Sequence, residues 1–157
     1  MPDMLVPLYK LPDLAPLLKA QNERGVIVRR ANHWELSQVR AFITETFSGG
    51  WADEATASFS GQPVSLFLAI REGKIIGFGA YEATRRGFFG PTGVLESERG
   101  RGVGAVLLIA CLHGMLELGY GYANIGGVGT VEFYEKTVGA TLIPDSTPGV
   151  YRNMLER

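Results

Sequence analysis

Residues 99–104 of this 157-residue chain read RGRGVG and separate a stretch of β-forming residues, Phe88–Leu95, from an apolar run that begins at Val103. The first stretch predicts a strand and the run predicts a helix to about Leu118, so the glycine-rich segment should open that helix. The first N–H groups of a helix lack internal partners, and the helix dipole favours negative charge there. Glycines let an anion approach the backbone, and arginines add cationic donors. The segment therefore predicts a pyrophosphate site.

The pattern Arg-x-x-Gly-x-Gly, formed by Arg99, Gly102 and Gly104, is weak when taken alone. The chain holds 21 glycines. The frequencies of these residue types give roughly one chance match in every four such sequences. A glycine-rich turn with solvated arginines is the alternative, so the neighbouring elements must decide.

A dinucleotide site is the second alternative, because residues 100–105 fit the pattern Gly-x-Gly-x-x-Ala. That pattern should open a βαβ unit whose second strand ends in an acid about 20 residues further on. The next predicted strand instead ends in Asn124-Ile125-Gly126, without an acid. This disfavours a dinucleotide site.

The residues before the segment predict antiparallel strands. Residues 65–70 (SLFLAI) and 75–83 (IIGFGAYEA) are apolar runs joined by the charged turn 71–74 (REGK), which is typical of a β-hairpin. A second turn at 85–87 leads into Phe88–Leu95. The three strands form a meander, which a Rossmann domain would not have at this place.

The residues after the segment predict a crossover. Tyr120–Ile125 reads as a strand, and Gly119 stands where a left-handed residue would end the preceding helix. A strand, a helix and a strand in succession imply a parallel pair. A short helix is then predicted at Thr130–Val138, with closing strands at Ala140–Ile143 and Val150–Leu155.

The N-terminal third predicts a strand and two helices. Val26–Arg30 contains the strand, and an amphipathic helix should begin at Asn32 or His33 and end at Gly49-Gly50. Trp51–Phe59 predicts a second, shorter helix. The whole pattern is that of an α/β (α+β) domain.

Residues 1–25 are expected to form an appended arm, because they hold four prolines and only a short helix, Asp13–Ala20. One domain, 26–157, should follow. The arm could pack on its own domain or cover a second copy, so a homodimer is one alternative.

The composition excludes several kinds of protein. A net charge of −1 provides no overall field for nucleic acid or an anionic membrane. One cysteine, Cys111, and two histidines argue against a disulfide and against a Cys/His metal site. The early Asp3 and the prolines do not fit a signal peptide, and the longest apolar run is too short to span a bilayer. We expect a cytoplasmic protein without a metal.

With these elements in order, the chain resembles the GNAT superfamily of N-acetyltransferases. That superfamily has a strand, an Arg/Gln-x-x-Gly-x-Gly/Ala turn and a helix at its acyl-CoA site, followed by an aromatic-Tyr-Glu-Lys stretch and a glycine. This chain has RGRGVG at 99–104, then Phe133-Tyr134-Glu135-Lys136 and Gly139. Two such segments in the right order are harder to obtain by chance than one.

The resemblance implies a fold and a co-substrate. The fold is a mixed, mostly antiparallel sheet flanked by helices, with the middle strands splayed apart at the acyl-CoA site. Acetyl-CoA would pair its pantetheine arm with one strand end and rest its pyrophosphate on the turn. The residues implied in cofactor binding are Thr92, Gly93, Val94, Leu95, Arg99, Gly100, Arg101, Gly102, Val103, Gly104, Asn124 and Phe133.

The resemblance also makes Tyr134 the general acid that protonates the departing thiolate. An ordinary tyrosine pKa near 10 suits a donor that stays protonated at neutral pH. The alternative is a packed aromatic residue, because Val131, Tyr134 and Val138 share one helical face.

This chain departs from the family pattern at two places. Many relatives have an asparagine seven residues before the tyrosine, where this chain has Gly127, so the nearby Asn124 is the candidate contact. The strand Phe88–Leu95 contains no carboxylate to deprotonate the acceptor. Glu82 is the candidate base, with Glu96 or a water molecule as alternatives.

Phe47, Trp51 and Phe59 flank the region where the superfamily builds its acceptor pocket, although such aromatics are more often core residues. Asp53 and Glu54 could attract a cationic amine, although acids near a helix start are common.

The sequence thus predicts an N-acetyltransferase that moves an acetyl group from acetyl-CoA to an amine of a small molecule or protein. A non-catalytic acyl-CoA-binding module is one alternative. A structural or partner-binding domain with a chance glycine turn is another.

Overall fold

A computed structural model describes residues 1–156 and contains seven strands and five α-helices in that range. The strands are β1 Met4–Pro7, β2 Val26–Arg30, β3 Leu66–Arg71, β4 Lys74–Tyr81, β5 Phe88–Val94, β6 Tyr122–Ile125 and β7 Thr141–Leu142. The helices are α1 Leu14–Glu23, α2 Leu36–Thr46, α3 Gly49–Thr56, α4 Val103–Glu117 and α5 Val131–Val138.

All seven strands form one sheet in the order β2-β3-β4-β5-β6-β1-β7. Every neighbouring pair is antiparallel except β5 and β6, which are parallel and joined through α4. The mixed, mostly antiparallel sheet flanked by helices is therefore confirmed. The parallel pair follows from the crossover, because a helix returns the chain to the edge at which the previous strand began.

The alternation of side chains on β3 and β4 divides the core between the two faces of the sheet. Leu66, Leu68 and Phe78 pack with the apolar residues of α2 and α3. On the opposite face, Ala69 and Tyr81 contact the side of α4. Ten of the fifteen residues of α4 are buried, so this helix is enclosed by the sheet and α1. The start of α4 is consequently held in a fixed place.

The first 25 residues are not an appended arm. β1 lies inside the sheet between β6 and β7, and Met4 and Val6 are fully buried. Apolar residues at alternate positions, continued by Leu8, fill the core beneath the strand. The prolines at positions 2 and 7 bound this short strand without interrupting it.

The two predicted closing strands and the predicted end of one early helix also differ from the structure. The closing strand is only the two residues of β7, and Val150–Leu155 forms no strand; a 3₁₀ turn covers Gly149–Tyr151. Gly49 and Gly50 begin α3 rather than end α2. The reason is Ser48, whose hydroxyl accepts a hydrogen bond from the backbone N–H of Trp51 at 3.1 Å and caps the helix.

Candidate active site

A cleft opens where β5 and β6 separate. The two strands pair only at Phe88 with Asn124 and at Phe89 with Ile125, and then diverge. The residues of β5 beyond Phe89 remain paired with β4 on their other side. One edge of this half of β5 therefore has no strand beside it.

The direction of the backbone groups on this open edge follows from the antiparallel ladder. The N–H of Leu95 donates to the carbonyl of Ile76 at 2.8 Å. Because successive residues of a strand point their polar groups to opposite sides, those of Thr92 and Val94 face the cleft. The Arg99 side chain agrees with this, since its Nε donates to the carbonyl oxygen of Val94 at 3.2 Å. The open edge can accept and donate hydrogen bonds to an extended ligand.

The glycine-rich segment lies directly after this edge. Gly100 and Gly102 both have φ near +80°, a conformation that costs other residues energy, and α4 begins at Val103. Within the described residues, no protein group accepts a hydrogen bond from the backbone amides of residues 100–105. This is an amide-lined turn at a helix start, which favours a phosphate.

One side chain of α1 and one from the residue that follows this helix hold the turn from behind. The carbonyl oxygen of Arg101 accepts from Gln21 Nε2 at 2.8 Å and from Arg24 Nη1 at 2.9 Å. Because this carbonyl is drawn towards α1, the neighbouring amides are left free on the other side. α1 is therefore part of the site's support, which sequence reasoning missed.

An ion-pair cluster fixes the other flank of the turn. Both oxygens of Glu98 accept from Arg71, at 3.0 and 3.1 Å, and Arg101 Nη1 donates to Glu98 at 3.0 Å. The bond from Arg71 lowers the pKa of Glu98, which keeps the carboxylate charged. The arginine at 101 is therefore partly neutralised, whereas Arg99 contacts only a backbone carbonyl.

The cleft encloses a cavity of about 690 Å³. Its wall is mostly apolar side chains and glycine backbone. The lining residues are Met1, Gly50, Trp51, Glu54, Thr84, Phe89, Gly90, Pro91, Thr92, Ile125, Gly126, Gly127, Val128, Gly129, Tyr134, Thr147, Pro148, Tyr151 and Met154. Trp51 is thus a wall residue, whereas Phe47 and Phe59 belong to the core beneath it.

Tyr134 lies on the wall of this cavity. It is 9% exposed, and its ring packs edge-on against Phe133 at 5.0 Å and Phe89 at 6.5 Å between centroids. Burial raises the pKa of the Tyr134 phenol, so it holds its proton at neutral pH. Tyr134 therefore packs against other aromatic rings and lines the cavity at the same time. One position satisfies both the packed role and the catalytic role that the sequence left open.

Glu82 is not brought into the cleft. Its carboxylate accepts from the Gly87 N–H at 2.6 Å and from the Tyr120 hydroxyl at 3.1 Å, and it lines neither cavity. It closes the turn between β4 and β5, a local role that an alternating strand pattern does not reveal. Glu96, the other candidate, is exposed before the glycine-rich turn and lines neither cavity.

Of the twelve predicted cofactor contacts, only Thr92 is among the described residues that line the cavity; those from Gly93 to Gly104 follow it along the open edge and the glycine-rich turn, and two lie elsewhere. Asn124 sits on β6 and Phe133 is 37% exposed beside Tyr134, and neither lines the cavity. Gly127 does line it, and its N–H donates to Asp3 Oδ1 at 3.0 Å. The buried Asp3 therefore positions the glycine loop after β6, which the sequence did not indicate because the two residues are far apart in the chain.

A carboxylate does enter the cavity from α3. Glu54 lines it, and its Oε1 accepts from the hydroxyls of Thr84 and, at 3.1 Å, Tyr151. Burial, and next the charge of Glu54, raise the pKa of Tyr151, so this phenol remains a donor. The adjacent Asp53 instead pairs with Arg40 at 2.9 Å.

The part of the chain that the structure describes contains no group of three or more His, Cys, Asp or Glu side chains arranged to hold a metal. In the same residues, no helix combines the length and apolarity needed to cross a membrane.

Comparison with known proteins points to one family. A model of the acetyltransferase (GNAT) family matches residues 33–140, which include α2 to α5. No curated protein matches the chain significantly.

Several solved structures share the fold. The first is the GCN5-related glucosamine N-acetyltransferase region of a fungal multi-domain GH3 β-N-acetylglucosaminidase, with a TM-score of 0.71 and 17% identity over 90% of this chain and 19% of that one. A GCN5-related N-acetyltransferase from Sphaerobacter thermophilus has a TM-score of 0.66 and 18% identity, over 90% of this chain and 48% of that one. A GNAT family acetyltransferase from Brucella melitensis in complex with acetyl-CoA has a TM-score of 0.58 and 16% identity, over 75% of this chain and 86% of that one. This chain thus spans half or less of the length of the first two proteins.

Proposed function

The chain belongs to the acetyltransferase (GNAT) family, and from that premise we propose that it transfers an acetyl group from acetyl-CoA to an amine of a small molecule or protein. The observation that supports this most directly is that Tyr134 and Thr92, on the open half of β5, line the same cavity. An acid is needed within reach of the thioester sulfur, and this cavity provides one beside the edge on which the pantetheine would lie.

The amide-lined turn fits the pyrophosphate of the co-substrate. The unpartnered N–H groups of residues 100–105 and the start of α4 would bind its negative charge, and Arg99, which contacts only a backbone carbonyl, would add a cation. The backbone groups of Thr92 and Val94 would then pair with the pantetheine amides. Arg99 would leave the Val94 carbonyl when the pantetheine takes that bond.

The reaction needs orientation and one proton donor. A neutral amine attacks the thioester carbonyl carbon, the C–S bond breaks, and Tyr134 gives its proton to the departing thiolate. Because burial raises the pKa of Tyr134, the phenol carries its proton before the reaction.

The first test is a thermal shift titration with acetyl-CoA, with CoA and NADH as comparisons. A ligand at about 100 times its Kd adds roughly 2.7 kcal/mol, which should raise the melting temperature by roughly 5 to 10 °C. Stabilisation by acetyl-CoA and CoA, but not by NADH, is expected. If acetyl-CoA leaves the melting temperature unchanged, the proposed function is wrong.

The second test is Tyr134→Phe, with Tyr122→Phe as the matched control. Tyr122 is 52% exposed and does not line the cavity. We expect Tyr134→Phe to lower kcat by about 100-fold or more while acetyl-CoA binding is kept, and the control to keep its activity. Equal turnover of both variants would remove the acid role but not the co-substrate.

A non-catalytic acyl-CoA-binding module is the second candidate. It is favoured by one observation, the lack of a carboxylate on β5. Binding of acetyl-CoA without thiol release for any amine tested would establish it. The cytoplasmic location and a homodimer stay predictions.

A further inference from the structure

Glu54 is the one acidic side chain among the described residues that line the larger cavity, and no lysine, arginine or histidine lines it. The carboxylate belongs to α3 and is half-buried. The other side chains on the cavity wall are uncharged, so no cationic side chain neutralises Glu54 there. A charge in such surroundings attracts a cation more strongly than one in bulk water.

The contacts of Glu54 orient it without neutralising it. Both hydroxyl donors, from Thr84 and Tyr151, reach Oε1, and no protein group donates to Oε2 in the described part of the chain. The two donors come from the turn after β4 and from the C-terminal segment, so three parts of the fold converge on one carboxylate. Arg40, the nearest cation on α2, is occupied by Asp53.

We propose that Glu54 binds the ammonium group of the acceptor and takes its proton, and that the acceptor is a primary amine without a neighbouring carboxylate or phosphate. This inference rests on the proposed acetyl transfer. An anionic group attached next to the ammonium would lie beside Glu54 and be repelled.

The rest of the acceptor is an apolar body. Trp51, Pro148 and Met154 line the same cavity as Glu54 and leave little polar surface for a sugar or a peptide acid. The nearby cation Arg85 lines an adjoining cavity of about 390 Å³, which Glu54 also lines, and its Nη1 donates to the Thr84 carbonyl at 2.8 Å. An arylalkylamine has the required combination of one positive charge and an apolar body.

The protons and bonds balance with groups already named. Glu54 takes one proton from the ammonium, which leaves a neutral amine. The new C–N bond forms, the C–S bond breaks, and the thiolate takes the Tyr134 proton. The second proton lost from nitrogen restores Tyr134 directly or through solvent, and Glu54 releases its proton to solvent.

The experiment uses two pairs of acceptors with the full chain and saturating acetyl-CoA. Phenethylamine is compared with phenylalanine, and tyramine with tyrosine, and the N-acetyl products are measured by mass spectrometry. We expect the amines to be acetylated with kcat/KM at least about 100-fold above that of their amino acids. Equal rates within each pair, or no product from either amine, would overturn the inference.

A substitution tests the residue itself. Glu54→Gln should lower kcat/KM for phenethylamine by about 100-fold or more. The loss should be much smaller for 2,2,2-trifluoroethylamine, a weak base that is largely neutral at pH 7 and does not need the proton acceptor. Glu45→Gln, which makes the same charge change at an exposed residue of α2 that lines neither cavity, should leave both rates near wild type.

The thermal shift caused by acetyl-CoA distinguishes an error in the role of Glu54 from an error in the proposed acetyl transfer. Wild type and Glu54→Gln should show the same thermal shift, because Glu54 contacts the acceptor side. If Glu54→Gln keeps both the thermal shift with acetyl-CoA and the rate with phenethylamine, only the role of Glu54 is wrong. If acetyl-CoA causes no thermal shift in the wild type, the acetyltransferase proposal is wrong.

Discussion

The ring of Phe47 lies directly against the Cα atom of Gly93, so that a Cβ atom at position 93 would fall 2.7 Å from Cε1 and 2.9 Å from Cε2. The ring cannot easily move aside, because it packs against Trp51 at 5.3 Å and Phe78 at 5.8 Å between centroids. Trp51 in turn lines the cavity. This contact sets the distance between β5 and the α2–α3 layer.

Gly93→Ala should therefore destabilise the protein by about 1–3 kcal/mol, the usual cost of overpacking. Urea unfolding followed by tryptophan fluorescence measures the change. Gly49→Ala is the control, since Gly49 is exposed and has nothing within 4 Å of an added Cβ, and it should be neutral or slightly stabilising. If the contact is the cause, the cost of Gly93→Ala must shrink in a Phe47→Leu background.

Gln21→Leu should weaken CoA binding by about 3- to 10-fold, an amount typical of losing one positioning hydrogen bond. Gln21 is 4% exposed and donates to the Arg101 carbonyl behind the amide-lined turn, so its loss lets the turn relax. Isothermal titration with CoA measures the Kd. Glu23→Gln, an exposed change on the same helix, should keep wild-type affinity, and equal affinities for all three proteins would contradict the supporting role of α1.

Cys111 should be inert in the folded protein. It is fully buried in α4, and burial raises the pKa of its thiol, so little reactive thiolate is present at neutral pH. Ellman's reagent should detect no reactive thiol in the native chain and one thiol per chain in guanidinium. Rapid stoichiometric reaction under native conditions would mean that α4 opens readily.

The Arg29–Glu35 pair should make stability depend on acid pH. Two parallel hydrogen bonds of 2.9 and 2.8 Å join the side chains, and Arg29 is the main cause that lowers the pKa of Glu35 to about 2. Because the folded pKa is depressed, the contribution is fully present above the ordinary pKa of about 4.5 and is lost as the pH falls towards 2. Allowing for solvent screening, it amounts to about 1 kcal/mol.

Thermal melts of wild type and Glu35→Gln from pH 7 to pH 2.5 check this dependence. The difference in melting temperature should be constant near neutrality and narrow below pH 4.5. Arg29→Gln should remove the same pH-dependent part, and the double variant should add little to either single one. A difference that persists at the lowest pH would mean that the carboxylate is not the group involved.

Local patterns were sufficient for most of the elements. The hairpin of β3 and β4, the strand β5 and the buried helix α4 are set by apolar periodicity and by turns of glycine and charged residues. The N-terminal strand was missed because four residues that end in a proline are too few to show a period. Only its partners on both sides, β6 and β7, make it a strand.

The candidate site also contains residues that belong to local sequence motifs and residues that only the fold brings together. The glycine-rich turn and Tyr134 each belong to a contiguous motif; the turn opens α4, and Tyr134 lines the cavity. Glu54, Thr84 and Tyr151 are separated by about 30 and 67 positions, and their convergence depends on how α3 and the C-terminal segment pack. No pattern in the sequence relates them.

The sequence by itself determined the family, and it placed the glycine-rich turn at a helix start and Tyr134 on the last helix, because a helix and its first turn are built from consecutive residues. The tertiary structure alone decided that Glu82 closes a turn while Glu54 enters the cavity, and that Asp3 and Gln21 hold the loops around it. The physical reason is that a side chain's direction and partners depend on contacts between distant segments. Those contacts exist only after the sheet has formed and its helices have packed on it.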